Sequence, residues 1–401
     1  MEYWGIARRT PPLHHLAMRI RSLHAIPVRL PRDLASSRGT AGSPTSLAGS
    51  GGYRWSTAYP VLYSVNFETA LVRIELENGL VGWGEAQAPL APEVACSIVT
   101  HLLSAALEGE DFDGRPERIE ELWERMYATM RVRGQTGGFM LDAMSGVDIA
   151  LWDLAGKMAG KPVCALLSDS PKPRIPAYLS GTSGGSVAER AAFAARYADE
   201  GLSLVKIYFE SEWSALLAIA DALPKGMQFA VDALWHLPPE QAIAMGRELD
   251  ARNARWLECP LYPEEVEAHA RLAAAIRTPL ALGESYRTLH ELQPFLGIAR
   301  ILQPDLGRSG ITGSRRIAHA FSGQVIPHLS IAMGPQIAAA LHFAAATENC
   351  ALCEFNPHVL DTANTFLRTP LRRQGPDYHL PDTPGLGIEW NERFEAIVGM
   401  G

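Results

Sequence analysis

Four charged residues recur at equal intervals through the middle of this 401-residue chain: Lys206, Asp232, Glu258 and Glu284, each 26 residues after the last. Each closes a short apolar run, namely LVKIYF, QFAVDA, RWLEC and LALGE. One strand, one helix and two turns take about that much chain, as in a βαβ repeat of roughly 30 residues. The interval therefore predicts that the four groups share one height, on the C-terminal rim of a parallel barrel, where active sites of that fold sit. Three more runs follow: RILQPD ends in Asp305, QVIPHL brings His328, and ALCEF carries Glu354.

Three carboxylates converging from adjacent strands repel one another. At an effective dielectric of about 20, two like charges 4 Å apart cost about 4 kcal/mol. A hard dication relieves this, and all-oxygen ligation with positions left for water and substrate suits Mg²⁺, with Mn²⁺ second. Zinc suits less, because His328 stands on a distant strand and no Cys accompanies the carboxylates. Lys206 and Tyr208 are two residues apart, so both point to one face of their strand, into the barrel. A buried lysine needs a partner or a use. On the other flank Asp305 can fix the tautomer of His328 and raise its basicity, the arrangement of a general base. His101, His319 and His342 lie in helical stretches and read as packing or surface residues.

The chemistry that calls for such a set is removal of a proton next to a carboxylate. That proton is very weakly acidic, and the enediolate must meet positive charge placed in advance. Mg²⁺ with Lys206 beside it meets that need, and His328 takes the proton. Glu354, if its pKa is raised, would donate a proton or hydrogen bond to the second carboxylate oxygen.

The elements that must position these groups follow from the pattern. Residues 1–17 have no periodicity and read as a disordered extension. MRIRSLHAIPVRL is strand-like from Met18, and residues 35–58, dense in Gly, Ser, Thr and Ala, read as a loop. Within or beside it, Arg38, Arg54, Trp55 and Tyr59 are candidates to touch a ligand. Two alternating runs meet at Asn78-Gly79, a hairpin signal. Helical patterns cover 92–108, 116–130 and 139–160, the last apolar almost all round and hence buried. An α+β capping domain over 18–150 follows. From about 174, eight apolar strand runs alternate with amphipathic helices, which predicts an α/β (β/α)-barrel over 151–360, with an open doubly wound sheet as second choice. Residues 361–401 then return to the first domain.

Composition narrows the partners. Net charge is −8 with no basic cluster, against a nucleic-acid surface. No apolar run reaches the 18 or so residues that span a bilayer. Five cysteines without framework spacing point to a reducing cytoplasm, and Cys350 and Cys353 read as core. Abundant apolar helices point to a homo-oligomer.

The motifs ALWDLAGK (150–157), VKIYF (205–209), VDALW (231–235), WLECPL (256–261), ALGES (281–285), QPDLGRSGITG (303–313), PHLSIAMGPQIAAALHFAAA (327–346), CEFNPH (353–358) and PGLGIEW (384–390) together resemble the enolase superfamily, in its mandelate racemase-like subgroup. The resemblance spans residues 18–390. It implies a capping domain over a modified (β/α)7β barrel, Mg²⁺ on Asp232, Glu258 and Glu284, and a His328–Asp305 dyad. It also implies a substrate-carboxylate donor at Glu354 and assembly as dimers to octamers. Members with this dyad are typically acid-sugar dehydratases. Two departures stand out: Lys206-x-Tyr208 replaces the usual Lys-x-Lys, and Leu234 stands where Asn is common. Cycloisomerases of the superfamily would want a sixth-strand Lys where this chain has Asp305, which sets them aside. Dehydration of a sugar acid to a 2-keto-3-deoxy acid is the leading expectation. Racemisation or epimerisation of a 2-hydroxy or amino acid is second, and a non-catalytic carboxylate-binding protein third.

Overall fold

The computed structural model describes residues 17–31, 52–55, 61–210, 212–235 and 237–398. The expectation for 1–17 (Ala17 excepted) and most of that for 35–58, with Arg38 and Tyr59, lies outside those residues. The chain opens with β1 (Met18–Pro31), a small hairpin of β2 (Tyr53–Trp55) and β3 (Leu62–Ser64), then β4 (Asn66–Leu76) and β5 (Val81–Ala86). With β6 (Asp111–Phe112) these form an antiparallel sheet in the order β5-β4-β1-β6. The β4–β5 connection turns at Asn78-Gly79, where Gly79 takes φ 83°.

One helix, Gly138–Ala159, covers this sheet, and every residue from Met140 to Gly156 is buried. The two glycines of β5 explain how it can lie so close. A Cβ on Gly84 would come within 1.9 Å of the Gly146 carbonyl, and one on Gly82 within 2.4 Å of the Ala150 carbonyl. Any side chain there would push helix and strand apart. The domain boundary expected at 150/151 falls inside this continuous helix, which Gly160, in the left-handed region at φ 63°, ends. The boundary expected at 360/361 likewise falls inside the Pro357–Asn364 helix.

Eight parallel strands follow, each close to its expected run: β7 (Arg174–Ser180), β8 (Leu204–Tyr208), β9 (Gln228–Asp232), β10 (Leu257–Glu258), β11 (Leu280–Leu282), β12 (Ile301–Leu302), β13 (Gln324–Val325) and β14 (Cys353–Phe355). Each pairs with the next as far as β13, and β14 pairs back onto β7. Between β13 and β14 the ring is joined only by an isolated bridge, Val325 to Cys350, so the strand ladder is not fully closed there. Both Cys350 and Cys353 are buried and free, as a core reading requires. No helix among the described residues is long and apolar enough to cross a membrane.

The barrel interior is layered. Tyr178, Leu204, Ala230, Trp256, Ala281, Ile301 and Ile326 form an apolar cluster of their own. Side chains alternate along a strand, so the next inward residues are Ser180, Lys206, Asp232, Glu258, Gly283, Gln303 and His328. A dry floor thus carries a polar layer two residues further along each strand. The end of the chain closes the other side. A hairpin of β15 (Arg372–Gln374) and β16 (Asp377–His379) pairs antiparallel with β7. Leu386 then donates to Asp153 Oδ1 (2.8 Å), and Trp390 and Phe394 pack on Trp83 of β5 at 5.5 and 5.6 Å.

His342 belongs to this packing. It is fully buried on the Pro335–Ala346 helix, with Nδ1 accepting from the Cys164 amide (3.3 Å) and Nε2 facing the Leu386 carbonyl (3.2 Å). Burial disfavours the charged ring and pulls its pKa down to about 4. A free imidazole titrates near 6.5, so below that pH the unfolded chain binds the extra proton and folding weakens as pH falls towards 4. The slope is about 1.4 kcal/mol per pH unit at most. His342→Gln can keep both hydrogen bonds and should flatten this limb of a Tm-against-pH curve. A variant whose curve ran parallel to the parent's would clear this imidazole of the acid sensitivity.

Candidate active site

At the C-terminal ends of β9, β10 and β11, one carboxylate oxygen each from Asp232, Glu258 and Glu284 lie within 4.8 Å of one another. The strand register shows how. Asp232 sits directly opposite Glu258, and Glu258 opposite Ala281. Glu284 stands three residues past Ala281, beyond the end of β11, after Gly283 at φ 148°. That residue must be glycine for a second reason: a Cβ would meet the Gln303 backbone nitrogen at 2.5 Å. Backbone strain gathers at the same rim, with Leu234, Trp235 and Cys259 all at positive φ just after the carboxylates.

Lys206 stands in the same inward layer as Asp232 and Glu258, although the ladder pairs Tyr208 with Asp232 and Lys206 with Ala230, because tilted strands of a barrel are staggered. The ammonium lies 2.5 Å from Glu258 Oε1, 3.0 Å from Glu354 Oε1 and 3.6 Å from Asp232 Oδ2, fully buried. Burial opposes that charge, but Glu258 and Glu354 outweigh it and hold the lysine pKa well above its usual value.

Three carboxylates thus face one lysine, and a fourth, Glu284, faces His328. Burial first, then the charge of Glu258, pushes the Asp232 carboxyl well above its ordinary range, and Glu284 is raised too, chiefly by burial. Glu258 is the best held: Trp256 Nε1 and Gln303 Nε2 each donate to Oε2 at 2.8 Å. Asp232 Oδ1 accepts from the Leu234 amide (3.0 Å). Glu284 Oε2 is buried without a hydrogen-bond partner, the nearest cation being His328 Nε2 at 3.4 Å. An orphaned oxygen, an all-carboxylate donor set and surplus negative charge in a dry pocket fit a hard dication.

His328 completes the far wall. Its Nδ1 lies 2.7 Å from Asp305 Oδ2, which leaves Nε2 facing the carboxylates. Burial alone would lower its pKa, but Glu284, Glu354 and the bond to Asp305 together raise it to about 10. The side chains of His328 and Glu284 remain 15% and 12% exposed, whereas Lys206, Glu258, Asp305 and Glu354 show 1% or less. Histidine and Glu284 therefore border the opening, and the others lie beneath. A cavity of about 940 Å³ between Tyr197, Phe355, Arg373 and His379 lies elsewhere and is lined by none of these groups.

Glu354 was expected to donate a proton or hydrogen bond on the condition that its pKa is raised, and that condition is not met: although burial works the other way, Lys206 and His328 hold its carboxyl below the usual range. Its Oε1 is taken by Lys206 and Ser180, and its Oε2 accepts from the Leu329 amide (2.9 Å), so it serves as an anchored anion. Tyr208, which stands where the resemblance has a second lysine, is held as a donor rather than as a base. Ser180 gives its one hydrogen to Glu354, so the Tyr208 phenol, 2.7 Å from Ser180 Oγ, must donate to it. Burial pushes that phenol further up, which leaves it protonated. Sequence reasoning also passed over Ser180, Trp256 and Gln303. Each is an inward residue of a recognised strand, so period-two alternation was the available signal.

Comparison with known proteins agrees with this geometry. A family model described as "Mandelate racemase / muconate lactonizing enzyme, N-terminal domain" matches residues 56–168, and "Enolase C-terminal domain-like" matches 189–394. D-galactarolactone cycloisomerase of Agrobacterium fabrum is 33% identical, over 80% of this chain and 88% of that protein. Arabinonate dehydratase of Saccharolobus solfataricus is 30% identical, over 80% and 87%. A member of the enolase superfamily from Agrobacterium tumefaciens superposes with a TM-score of 0.88 at 27% identity, covering 95% of this chain and 99% of that one. A capping domain on an α/β barrel, the carboxylate triad and these matches lead to one conclusion: the chain belongs to the mandelate racemase/muconate lactonizing enzyme family of the enolase superfamily.

Proposed function

We propose that this enzyme abstracts the proton α to the carboxylate of a sugar acid and expels the hydroxyl on the neighbouring carbon, giving a 2-keto-3-deoxy acid. The observation that carries this reading is the His328–Asp305 pair set 3.4 Å from one carboxylate of a buried, undercompensated triad. A Mg²⁺, or Mn²⁺, held by Asp232, Glu258 and Glu284 would supply the positive charge that an enediolate needs. His328 Nε2 takes the α-proton, because Nδ1 is engaged by Asp305 and only Nε2 faces the centre. The resulting imidazolium is stabilised by Asp305 and can return its proton to the departing hydroxyl on the same side. Lys206 adds a fixed positive charge at the base of the pocket and keeps Glu258 and Glu354 in place. Tyr208 acts as a hydrogen-bond donor. With its phenol protonated, it is a poor second base, which argues against two-base racemisation.

A second reading has its own support. The missing sixth-strand lysine set cycloisomerases aside, yet one relative at 33% identity is named for that activity. A sugar-acid lactone whose ring oxygen sits β to the free carboxylate needs the same α-deprotonation, and only the leaving group changes. The absence of a basic cluster and of disulfides supports a small acidic substrate and a cytoplasmic setting. The apolar helices support a homo-oligomer of two to eight copies. We place the capping unit from residue 18 to the end of the Gly138–Ala159 helix, with the barrel after it.

A panel of sugar acids and their lactones, assayed with Mg²⁺ for 2-keto acid, decides between the readings. Product from an open acid supports dehydration, product only from a lactone supports cycloisomerisation, and no product from either sinks both. Chelation should abolish turnover and Mg²⁺ restore it. Glu284→Gln should weaken Mg²⁺ binding and lower turnover by about 100-fold or more, on the order of a supporting second-sphere loss or greater. His328→Asn should retain Mg²⁺ but lose solvent-deuterium exchange at the α-carbon by about 10²–10⁴-fold, the usual worth of a general base. Exchange at the parental rate would assign the base elsewhere.

A further inference from the structure

The capping unit reaches the base by two routes that begin on β5 and the residue next to it. Glu85 is fully buried and accepts from the amides of Met333 (2.6 Å), Gly334 (3.2 Å) and Gln336 (3.2 Å) and from the Thr69 hydroxyl (2.9 Å). Those amides open the Pro335–Ala346 helix, the first helix after His328. In the same turn, Gln336 sends its side-chain amide to Asp305 Oδ1 (2.9 Å). The other donor to Asp305 Oδ1 is the Gly307 amide (2.8 Å). Gly307 is gripped in turn by the capping unit: its carbonyl accepts from the Gln87 amide (2.7 Å) and from the Ser145 hydroxyl. Both groups that orient Asp305 Oδ1 are therefore tied to one edge of the cap, while Oδ2 holds His328.

We propose that Glu85 is a positioning residue for the general base, fixing Asp305 through Gln336 and His328 through Asp305. This rests on the base role given to His328 above. A buried carboxylate is tolerated only when its oxygens are well supplied with donors, and Glu85 has four. Three of them are the backbone of the segment that carries Gln336. A bond that merely stapled two domains would have no reason to end on the residue that holds the base's partner. The Asp305–His328 hydrogen bond depends on Asp305 keeping one rotamer, and the cap holds the two groups, Gln336 and Gly307, that make its other contacts.

The test uses the full-length Mg²⁺ enzyme with Glu85→Gln, Gln336→Leu and the double variant. Each single variant should lower kcat for α-proton exchange by about 10- to 100-fold with KM within about twofold, and the double should be no worse than the poorer single, as residues in one network behave. Apart from turnover, the downfield proton resonance of His328 Nδ1–H, assigned by its loss in His328→Asn, should shift or broaden in both singles. If Glu85→Gln fails to fold, Thr69→Val, which removes one of the four donors, takes its place in the same comparison. A resonance unchanged in the folded variants, or rate effects that simply multiply, would overturn the proposal. If the parent exchanges no acid tested, the functional reading fails, and the resonance still decides the link.

Discussion

Everything at the mouth of this barrel depends on an unbalanced charge kept out of water. Asp232, Glu258, Glu284 and Glu354 share a pocket with one ammonium, Lys206, and one imidazole. Buried ionised groups are tolerated only when paired and hydrogen-bonded. The surrounding side chains meet part of that requirement. Trp256, Gln303, Ser180 and the amides of Leu234 and Leu329 each satisfy a carboxylate oxygen. They leave Glu284 Oε2 buried without a hydrogen-bond partner, and a donor set of this kind fits a hard dication. The same surroundings raise the His328 pKa, while burial keeps the Tyr208 phenol protonated and Glu258 and Glu354 hold the charge on Lys206.

The fold exists to hold that imbalance in register. An apolar floor from Tyr178 to Ile326 excludes water below the site, and the inward residues two positions along carry its chemistry. Above it, the capping sheet is drawn down by the glycine contacts of β5 against the Gly138–Ala159 helix. The cap is more than a cover, since its hydrogen bonds end on Gly307 and on the helix that holds Gln336. A structure built this way can vary its substrate at the loops without disturbing the deprotonation machinery beneath, the general logic of barrel enzymes.

Much of this was legible in the residues. The spacing of Asp232, Glu258 and Glu284 gave the carboxylate cluster, because a repeated βα unit returns the chain to the same rim. Asp305 and His328, on adjacent strands, gave the pair. Spacing says nothing of stagger, however, so the ladder pairing of Asp232 with Tyr208 was not foreseen, although Lys206 shares the layer of Asp232. Nor does it report which charges surround a carboxyl, so whether the Glu354 pKa is raised stayed open, and Lys206 and His328 lower it. The boundary at 150 was set where a helix pattern gives way to a strand pattern, and it falls inside the Gly138–Ala159 helix, which also bonds to Thr312 of the barrel through Asp148 and Trp152. Glu85 was invisible for another reason. Three of its four partners lie 248 to 251 residues away, and nothing in VGWGEA distinguishes a buried acid from a solvated one.

The most direct test of the central claim is a crystal grown with Mn²⁺, with the ion located by its anomalous scattering. The expected result is one strong peak bonded to oxygens of Asp232, Glu258 and Glu284, with His328 Nε2 across from it and free of the metal. A peak elsewhere, or three carboxylates left unligated while the enzyme still turns over, would contradict the account.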